Sequence, residues 1–306
     1  MARVIVWRLL HIIPVMIAIS LIVFALLHLA PGDPAFVLAG EDATQADLQA
    51  IRVKLGLDKP LYVQYGLWAA GVARGDLGRS IITRRPVIAE IRTRVKPTAE
   101  LAVAAMALAA GVGIGIGIVS AVYQYSVLDH ATMVVALLGV SLPIFWVGLM
   151  LIFLFSVELR WFPTGGAAGL PALVLPTVAL GAASVAIVAR MTRSSVLETI
   201  RKDYTRTARA KGLAGRVIIF RHALRNALVP VVTVVGLQFG YLLGGAVVTE
   251  TVFSRPGLGR MLVDAIGSRD FPVVQGGLMI LGVSFVLMNA LVDLLYAYLD
   301  PRIRYD

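Results

Sequence analysis

The residues from Thr98 to Val122 read TAELAVAAMALAAGVGIGIGIVSAV, and Glu100 is the only charged residue among them. A helix needs about 20 mostly apolar residues to cross the hydrocarbon core of a bilayer. This stretch exceeds that length, so it predicts a transmembrane helix. Gly111 and Gly115 are spaced one helical turn apart, and we expect them to let a neighbouring helix approach closely.

Five other stretches have the same character, so the sequence predicts six transmembrane helices and an all-α integral membrane protein. The composition agrees, because 58% of the 306 residues are hydrophobic and only 15% are charged, with a mean hydropathy of +0.85. A soluble domain is far less apolar. The five further stretches are Leu9–Ala30, Thr132–Val157, Leu173–Ala189, Ala227–Val248 and Val273–Leu299.

The first stretch could be either a membrane anchor or a cleaved signal peptide. It is long for the apolar part of a signal peptide, and His28 disrupts the small-residue pattern of a cleavage site before Ala30. We therefore interpret it as an uncleaved first span.

Basic residues predict the orientation of the chain. The connection between the fourth and fifth spans, residues 190–226, contains many Lys and Arg residues but only Glu198 and Asp203 as acidic residues. Short cytoplasmic loops carry an excess of Lys and Arg. We therefore expect this loop and, with six spans, both termini to lie in the cytoplasm. The net charge of +10 is dispersed between apolar runs, a pattern that does not predict nucleic-acid binding.

The spans and loops predict a division of the chain into three parts. Residues 1–93 comprise the first span and an external cap on the periplasmic side. Residues 94–297 comprise a five-helix core that includes the cytoplasmic loop 190–226, and residues 298–306 form a cytoplasmic tail.

The external segment Pro31–Pro97 is expected to be folded. Within Glu41–Leu57, the apolar residues Leu48, Ile51 and Leu55 have the spacing of one helical face. This predicts a short amphipathic helix in the cap.

The sequence argues against an ATPase and against a metalloenzyme. A phosphate-binding P-loop needs a Gly-Lys pair, and the sequence contains none. There is no Cys, and the four histidines are scattered without a carboxylate at ligand spacing, so no metal site and no catalytic residue are predicted. The histidines are His11, His28, His130 and His222.

The positions of the acidic residues bear on whether the chain is a proton-coupled secondary transporter or an intramembrane protease. Secondary transporters and intramembrane proteases usually place an acidic or catalytic group at mid-depth in a span. Here Glu100, Glu158 and Glu250 fall at span ends, and Asp293 lies near the inner end of the sixth span, where we interpret it as a helix-packing residue. Both alternatives are weakened by this distribution.

The most informative loop sequence runs from Asp203 to Pro230 and reads DYTRTARAKGLAGRVIIFRHALRNALVP. Its first part can form a helix that places Ala208 and Gly212 one turn apart on the same side. Small residues there would let a partner backbone come close. The alternative is an ordinary basic loop in solvent or against anionic lipid head groups, and the residues alone leave both open.

Ordered blocks through nearly the whole chain resemble the inner-membrane permease subunits of bacterial binding-protein-dependent ABC importers, in the dipeptide, oligopeptide, glutathione and nickel branch. The blocks are Arg8–Leu10, His28–Pro34 (HLAPGDP), Leu55–Leu61 (LGLDKPL), Gly75–Gly78 (GDLG), Ser141–Pro143 (SLP), Asp203–Leu213, Arg221–Ala227 (RHALRNA), Phe253–Gly259 (FSRPGLG) and Tyr296–Arg304. The fold implied is the type I ABC importer permease fold.

The resemblance implies a role for the loop. In that family it is the EAA coupling segment, a short helix that docks into a cleft of the ATPase subunit. Only Ala208 and Gly212 match its general form, because Arg206 and Thr207 stand where other branches have Glu and Ala. The implied ATPase-coupling residues are Asp203, Tyr204, Thr207, Ala208, Arg209, Ala210, Lys211 and Gly212.

The resemblance also implies partners and a mechanism. The chain would be one permease subunit in the cytoplasmic membrane, in contact with lipid, and would translocate short peptides by alternating access. Its partners would be a second homologous permease, two subunits that bind ATP and Mg, and an external solute-binding protein, while this chain itself holds no cofactor. The alternatives are a nickel importer of the same family and a secondary transporter. No residue is assigned to substrate binding.

Overall fold

The computed structural model describes residues 13–25 and 44–299. Within these residues the secondary structure is helical, apart from an isolated antiparallel bridge between Arg79 and Pro86. In chain order the helices are α1 (Ile13–Ala25), α2 (Gln45–Leu55), α3 (Leu61–Ala73), α4 (Val87–Val122), α5 (Val127–Ser141), α6 (Ile144–Glu158), α7 (Pro171–Ile200), α8 (Asp203–Ala210), α9 (Gly215–Val252), α10 (Leu258–Gly267) and α11 (Phe271–Leu299). The second half of α6 and the residues Ile218–Ala223 of α9 have π-helical hydrogen bonding.

The described helices account for most of the predicted spans. Four of them, α4, α7, α9 and α11, are long and apolar enough to cross a membrane, and the bent pair α5–α6 can form a fifth span. The first predicted span is described only as α1, and the remainder of Leu9–Ala30 lies outside the described residues. The side chain of Asp293 also lies outside them.

The third span differs from the prediction of one continuous helix over Thr132–Val157. Helices α5 and α6 meet at an angle of 108°. Leu142 has φ −82° and ψ 133° and ends α5, and Pro143 precedes the first residue of α6. Proline cannot donate a backbone hydrogen bond, and it disfavours the helical conformation in the residue before it. The break therefore follows directly from the Leu-Pro pair.

The chain folds into two compact units. One comprises Thr98–Arg255 and the described residues from Leu287, and the other comprises the described residues up to Pro97 together with Pro256–Val286. Residues 256–286 cluster with described residues that precede Thr98. The division into residues 1–93, 94–297 and 298–306 stays a prediction.

Helix α7 is the centre of the first unit. Its most apolar window is 56% buried, against 22–28% for the other three long spans. Leu180 of α7 is packed in one cluster with Leu101 and Ala105 of α4 and with Leu242 and Ala246 of α9. The first unit is therefore a bundle around α7.

The glycines that allow close packing of α4 on α7 are Gly113 and Gly117. A Cβ at Gly117 would stand 2.6 Å from the carbonyl oxygen of Ala189, and one at Gly113 would stand 2.9 Å from that of Val185. The expected residues, Gly111 and Gly115, have no atom of the described chain within 4 Å of such a Cβ. The prediction chose the wrong pair because both pairs have the same four-residue spacing.

The second unit joins the segment before α4 to the segment before α11. Asp270 accepts hydrogen bonds from the hydroxyl of Ser80 and from the backbone amides of Ile81 and Ile82, at 3.1 and 3.4 Å for the amides. A buried apolar cluster lies beside this junction and contains Leu77, Val87, Ile91, Leu258, Met261, Ala265, Val273 and Val274. These contacts explain why residues 256–286 cluster with residues that precede Pro97.

The amphipathic helix expected within Glu41–Leu57 is confirmed as α2, although residues 41–43 lie outside the described residues. Thr44 caps its N-terminus, and the Asp47 carboxylate accepts from the backbone amide of Thr44. Gly56 ends the helix with φ 70°, a left-handed conformation that glycine adopts without steric cost.

Candidate coupling site

Helix α8 is a short polar helix that follows the end of α7. Lys202 precedes it in an extended conformation, and Asp203 occupies its first turn, where a negative charge is stabilised by the helix dipole. Arg209 lies in the last turn, where the dipole favours a positive charge. The charges at both ends of α8 are therefore favourable for a helix at this position.

Gly212 terminates α8 and does not belong to it. The amide of Gly212 donates to the carbonyl of Arg209 (3.0 Å), and the amide of Leu213 donates to that of Ala208 (3.3 Å). Together with φ +77° at Gly212, this is the Schellman arrangement that closes a helix. The expectation that Gly212 shares a helical face with Ala208 was wrong, because the helix ends at Ala210.

The two buried residues of α8 are Thr205 and Ala208, which are 1% and 7% exposed. Ala208 therefore packs against its own chain. The remaining residues implied in ATPase coupling are exposed in this chain, and they are Asp203, Tyr204, Thr207, Arg209, Ala210, Lys211 and Gly212.

Thr205 ties α8 to the end of α7. Its hydroxyl lies 2.7 Å from the carbonyl oxygen of Ile200 and 2.6 Å from that of Lys202. The last carbonyl groups of a helix lack partners within the helix, so the Thr205 hydroxyl satisfies one of them while it fixes the position of α8.

Tyr204 ties α8 to α9. The side-chain amide of Asn226 donates to the Tyr204 hydroxyl over 2.9 Å. Asn226 lies near the start of α9, in the RHALRNA block. Helix α8 is thus held to two long helices at once.

The exposed side of α8 carries charges of both signs. Arg206 lies 3.7 Å from Asp203, and Lys202 lies 3.0 Å from Glu198 at the end of α7. These side chains are largely exposed, and such pairs contribute less than about 1 kcal/mol each. The surface is therefore suited to a polar partner. Because its ion pairs contribute little, the position of α8 depends mainly on the hydrogen bonds of Thr205 and on the packing of Ala208.

A cavity of about 300 Å³ lies beside α8. Its walls are partly apolar and partly basic, and they come from the ends of α4 and α7, from α8 and from the start of α9. The lining residues are Ala121, Val122, Gln124, Leu197, Ile200, Arg201, Arg209, Gly215, Ile218 and Ile219.

The loop that presents α8 is shorter than the predicted 190–226, because α7 continues without a break to Ile200 and α9 begins at Gly215. Arg190 and Arg193 consequently lie within α7. Arg193 forms a two-point ion pair with Asp129 near the start of α5, with both N···O distances at 2.7 Å.

The sequence reasoning missed this ion pair, and it also missed Thr205 and Asn226. Asp129 is further bound by the Ser120 hydroxyl and by the amide of Tyr125 (3.0 Å). The sequence contained one signal for the start of α5, because Asp129 stands three residues after Ser126, which caps this helix. A single carboxylate that is 2% exposed beside a partly buried arginine indicates a fixed connection between the α4–α5 turn and α7.

A bundle of long apolar helices, with a short charged helix bound to two of them, defines a multi-pass membrane protein. The sequence profile described as "Binding-protein-dependent transport system inner membrane component" matches residues 113–305. A second profile, for the N-terminal part of such membrane components, matches residues 1–102. The chain therefore belongs to the inner-membrane permeases of binding-protein-dependent transport systems.

Full-length relatives support this assignment. The chain is 45% identical to the dipeptide transport system permease protein DppB of Alkalihalophilus pseudofirmus, with 97% of this chain and 98% of the relative covered. It is also 45% identical to the glutathione transport system permease protein GsiC of Escherichia coli K12, with 97% of both chains covered. The predicted resemblance to the peptide branch is confirmed.

Solved structures show the fold. A chain of the MetNI methionine ABC transporter, in an inward-facing conformation, matches with a TM-score of 0.59 at 18% identity and covers 69% of this chain and 96% of its own length. An amino acid ABC transporter matches with a TM-score of 0.53 at 18% identity and covers 69% of this chain and 94% of its own. The predicted type I importer permease fold is confirmed.

Proposed function

We propose that this permease forms one half of the translocation pathway of an ATP-driven importer for short peptides. The support for the substrate class is the similarity to two relatives that are named for dipeptide and glutathione transport, each 45% identical over 97% of this chain. The remaining subunits would be a second permease, two ATPases that bind ATP and Mg, and an external solute-binding protein.

The observation that carries the proposed mechanism is the double attachment of α8. Its exposed side would contact an ATPase subunit, while Thr205 and Tyr204 hold it to α7 and α9. Closure of the ATPases around ATP would displace α8, and the two long helices would move with it. Free energy enters because ATP binds one state more tightly than the other.

The test is transport by the assembled system. The permease should be purified with its proposed partner subunits, reconstituted into liposomes, and supplied with labelled dipeptide, glutathione or Ni²⁺ together with the binding protein. We expect uptake of a peptide that depends on internal ATP. Uptake of Ni²⁺ alone would refute the substrate class, and uptake that persists without ATPase subunits would refute the mechanism.

Contact between α8 and the ATPase can be tested separately by cross-linking. The chain has no native Cys, so Thr207→Cys introduces a single thiol on the exposed side of α8, and Ser268→Cys provides an exposed control after α10. We expect a reagent with one maleimide and one lysine-reactive ester to link Thr207→Cys to a lysine of the ATPase and to leave the control unlinked. The opposite pattern would refute the proposed contact.

The same two variants test the proposed orientation. In intact cells an impermeant maleimide should label Ser268→Cys, which is expected outside, and should label Thr207→Cys only after the membrane is opened. Labelling of Thr207→Cys in intact cells would refute the proposal that α8 and both termini are cytoplasmic.

A further inference from the structure

Helix α3 is apolar, although much of its surface is not covered by the described chain. Its sequence, LYVQYGLWAAGVA, contains no charged residue, and charged residues stand on either side of it. No residue of α3 is buried, and Leu61, Tyr62 and Leu67 are 57%, 77% and 58% exposed. A helix that is apolar all round is normally covered by protein or by lipid. The described chain covers α3 only on the side that faces α1 and leaves the other side exposed.

The depth of α3 follows from contacts within the second unit. Gly282 lies in the middle third of α11 (Phe271–Leu299), and a Cβ on it would stand 3.0 Å from Ile19 of α1. Ile19 and Ser20 are therefore close to mid-depth. The hydroxyls of Ser20 and Tyr65 lie 2.9 Å apart, so the end of the Tyr65 side chain reaches this level.

A tyrosine side chain is much shorter than half of the hydrocarbon core, which is about 15 Å. The backbone of α3 at Tyr65 must consequently lie within the hydrocarbon region. With 13 residues, α3 is about 20 Å long, too short to cross the core of about 30 Å. After α3 the chain continues to Ser80, which binds Asp270 just before the start of α11. Helix α3 therefore lies in the half of the membrane on the side of Asp270.

The polar side chains in the middle of α3 are paired within the chain, as a hydrocarbon environment requires. The amide of Gln64 donates to the carbonyl oxygens of Lys59 (2.8 Å) and Leu57 (3.2 Å). On the side facing α1, the rings of Tyr65 and Trp68 pack against Phe24 at centroid distances of 5.5 and 5.9 Å.

We propose that α3 is immersed in the lipid bilayer, in the half on the side of Asp270, and that acyl chains cover its exposed face. It is a half-membrane helix and not part of a solvent-exposed cap. Lys59 and Arg74 flank it, and their long basic side chains can extend from the hydrocarbon region to the head groups.

Spin labels test this proposal in the assembled transporter, reconstituted in liposomes. Single cysteines replace Tyr62 and Leu67 on the exposed side of α3, with Ile22 of α1 as the lipid-facing reference and Val53 of α2 as the aqueous reference. The collision rates of each label are measured with oxygen, which partitions into lipid, and with a water-soluble nickel chelate.

We expect the ratio of oxygen to chelate collisions at positions 62 and 67 to match that at Ile22 and to exceed that at Val53 severalfold. A ratio equal to that at Val53 would overturn the proposal in favour of solvent. Protection from both agents would overturn it in favour of a protein partner. A second measurement needs no change on α3. Trp7, Trp146 and Trp161 are replaced by Phe, so that Trp68 is the tryptophan of this chain that remains. Lipids brominated in the acyl chain should then quench the fluorescence of Trp68, and unquenched emission would contradict the proposal.

Discussion

The side-chain amide of Asn226 donates a hydrogen bond of 2.9 Å to the hydroxyl of Tyr204. These residues are far apart in sequence, and they connect the short helix α8 to the first turns of α9. The Thr205 hydroxyl makes a second connection, to the end of α7. The candidate coupling helix is therefore attached at two points to the bundle that it would move.

Removal of the Tyr204 hydroxyl should weaken this attachment without unfolding the chain. Tyr204→Phe removes one exposed hydrogen bond, which contributes about 1 kcal/mol. We expect a severalfold fall in peptide uptake per ATP hydrolysed in the reconstituted transporter. Tyr123→Phe, at another exposed tyrosine, is the control and should transport normally.

The Asn226→Ala variant extends this prediction to a double-mutant cycle. If the two side chains act through their mutual bond, Tyr204→Phe combined with Asn226→Ala should be no worse than either single change. Additive losses of coupling would show that the bond is not the functional connection.

Two variants can show whether Gly212 is needed for its left-handed backbone conformation or for close contact with a partner. Its φ of +77° is unfavourable for residues other than glycine by about 1 kcal/mol, whereas asparagine tolerates that conformation. We expect Gly212→Ala to lower the thermal stability of the α8 region and peptide uptake, and Gly212→Asn to retain most of both. Equal loss in Gly212→Asn would instead indicate that a partner excludes any side chain there.

Gly215 provides the matched control for this comparison. It lies three residues further along, at the start of α9, and like Gly212 it has no atom of the described chain within 4 Å of a Cβ, but its φ is not left-handed. Gly215→Ala should therefore leave uptake unchanged and leave stability equal or slightly higher.

The ion pair between Asp129 and Arg193 should be important for stability. Asp129 is 2% exposed, and loss of one partner from a buried pair leaves the other uncompensated, at a cost of about 3 kcal/mol. We expect Asp129→Asn to lower the melting temperature of the detergent-solubilised chain clearly. The double variant with Arg193→Met should recover part of the loss, because no uncompensated charge remains.

Arg190 provides the control for the ion pair, since it lies on α7 and is exposed. Arg190→Gln should change the free energy of unfolding by less than about 0.5 kcal/mol. A melting temperature of Asp129→Asn equal to that of Arg190→Gln would contradict the assigned role of the pair.

The glycines of α4 give a prediction about packing. A Cβ at Gly117 would stand 2.5 Å from Cβ of Thr192, so Gly117→Ala should destabilise the chain by about 1–3 kcal/mol. Gly115→Ala meets no atom of the described chain and replaces glycine by a better helix former, so it should be neutral or stabilising by up to about 1 kcal/mol. Thermal unfolding in detergent measures both, and an equal effect of the two changes would contradict the observed register.

The sequence by itself determined the class of fold and the family. Apolar runs of transmembrane length specify the spans wherever they stand, because each backbone polar group in a membrane must be satisfied within its own helix. The break at Leu142–Pro143 was not predicted, although it depends on the covalent geometry of one dipeptide. The blocks from Arg8 to Arg304 contained enough ordered detail to identify the family.

Only the tertiary structure decided which side each residue faces. Gly111 and Gly115 have the same spacing as Gly113 and Gly117, and only the presence of α7 selects the second pair. Ala208 and Gly212 also have helical spacing, but the left-handed cap at Gly212 ends α8 before it. The contacts of Asp129 with Arg193, and of Tyr204 with Asn226, join residues that are distant in sequence. Such pairings depend on how helices pack, and a local pattern contains no information about the partner that completes them.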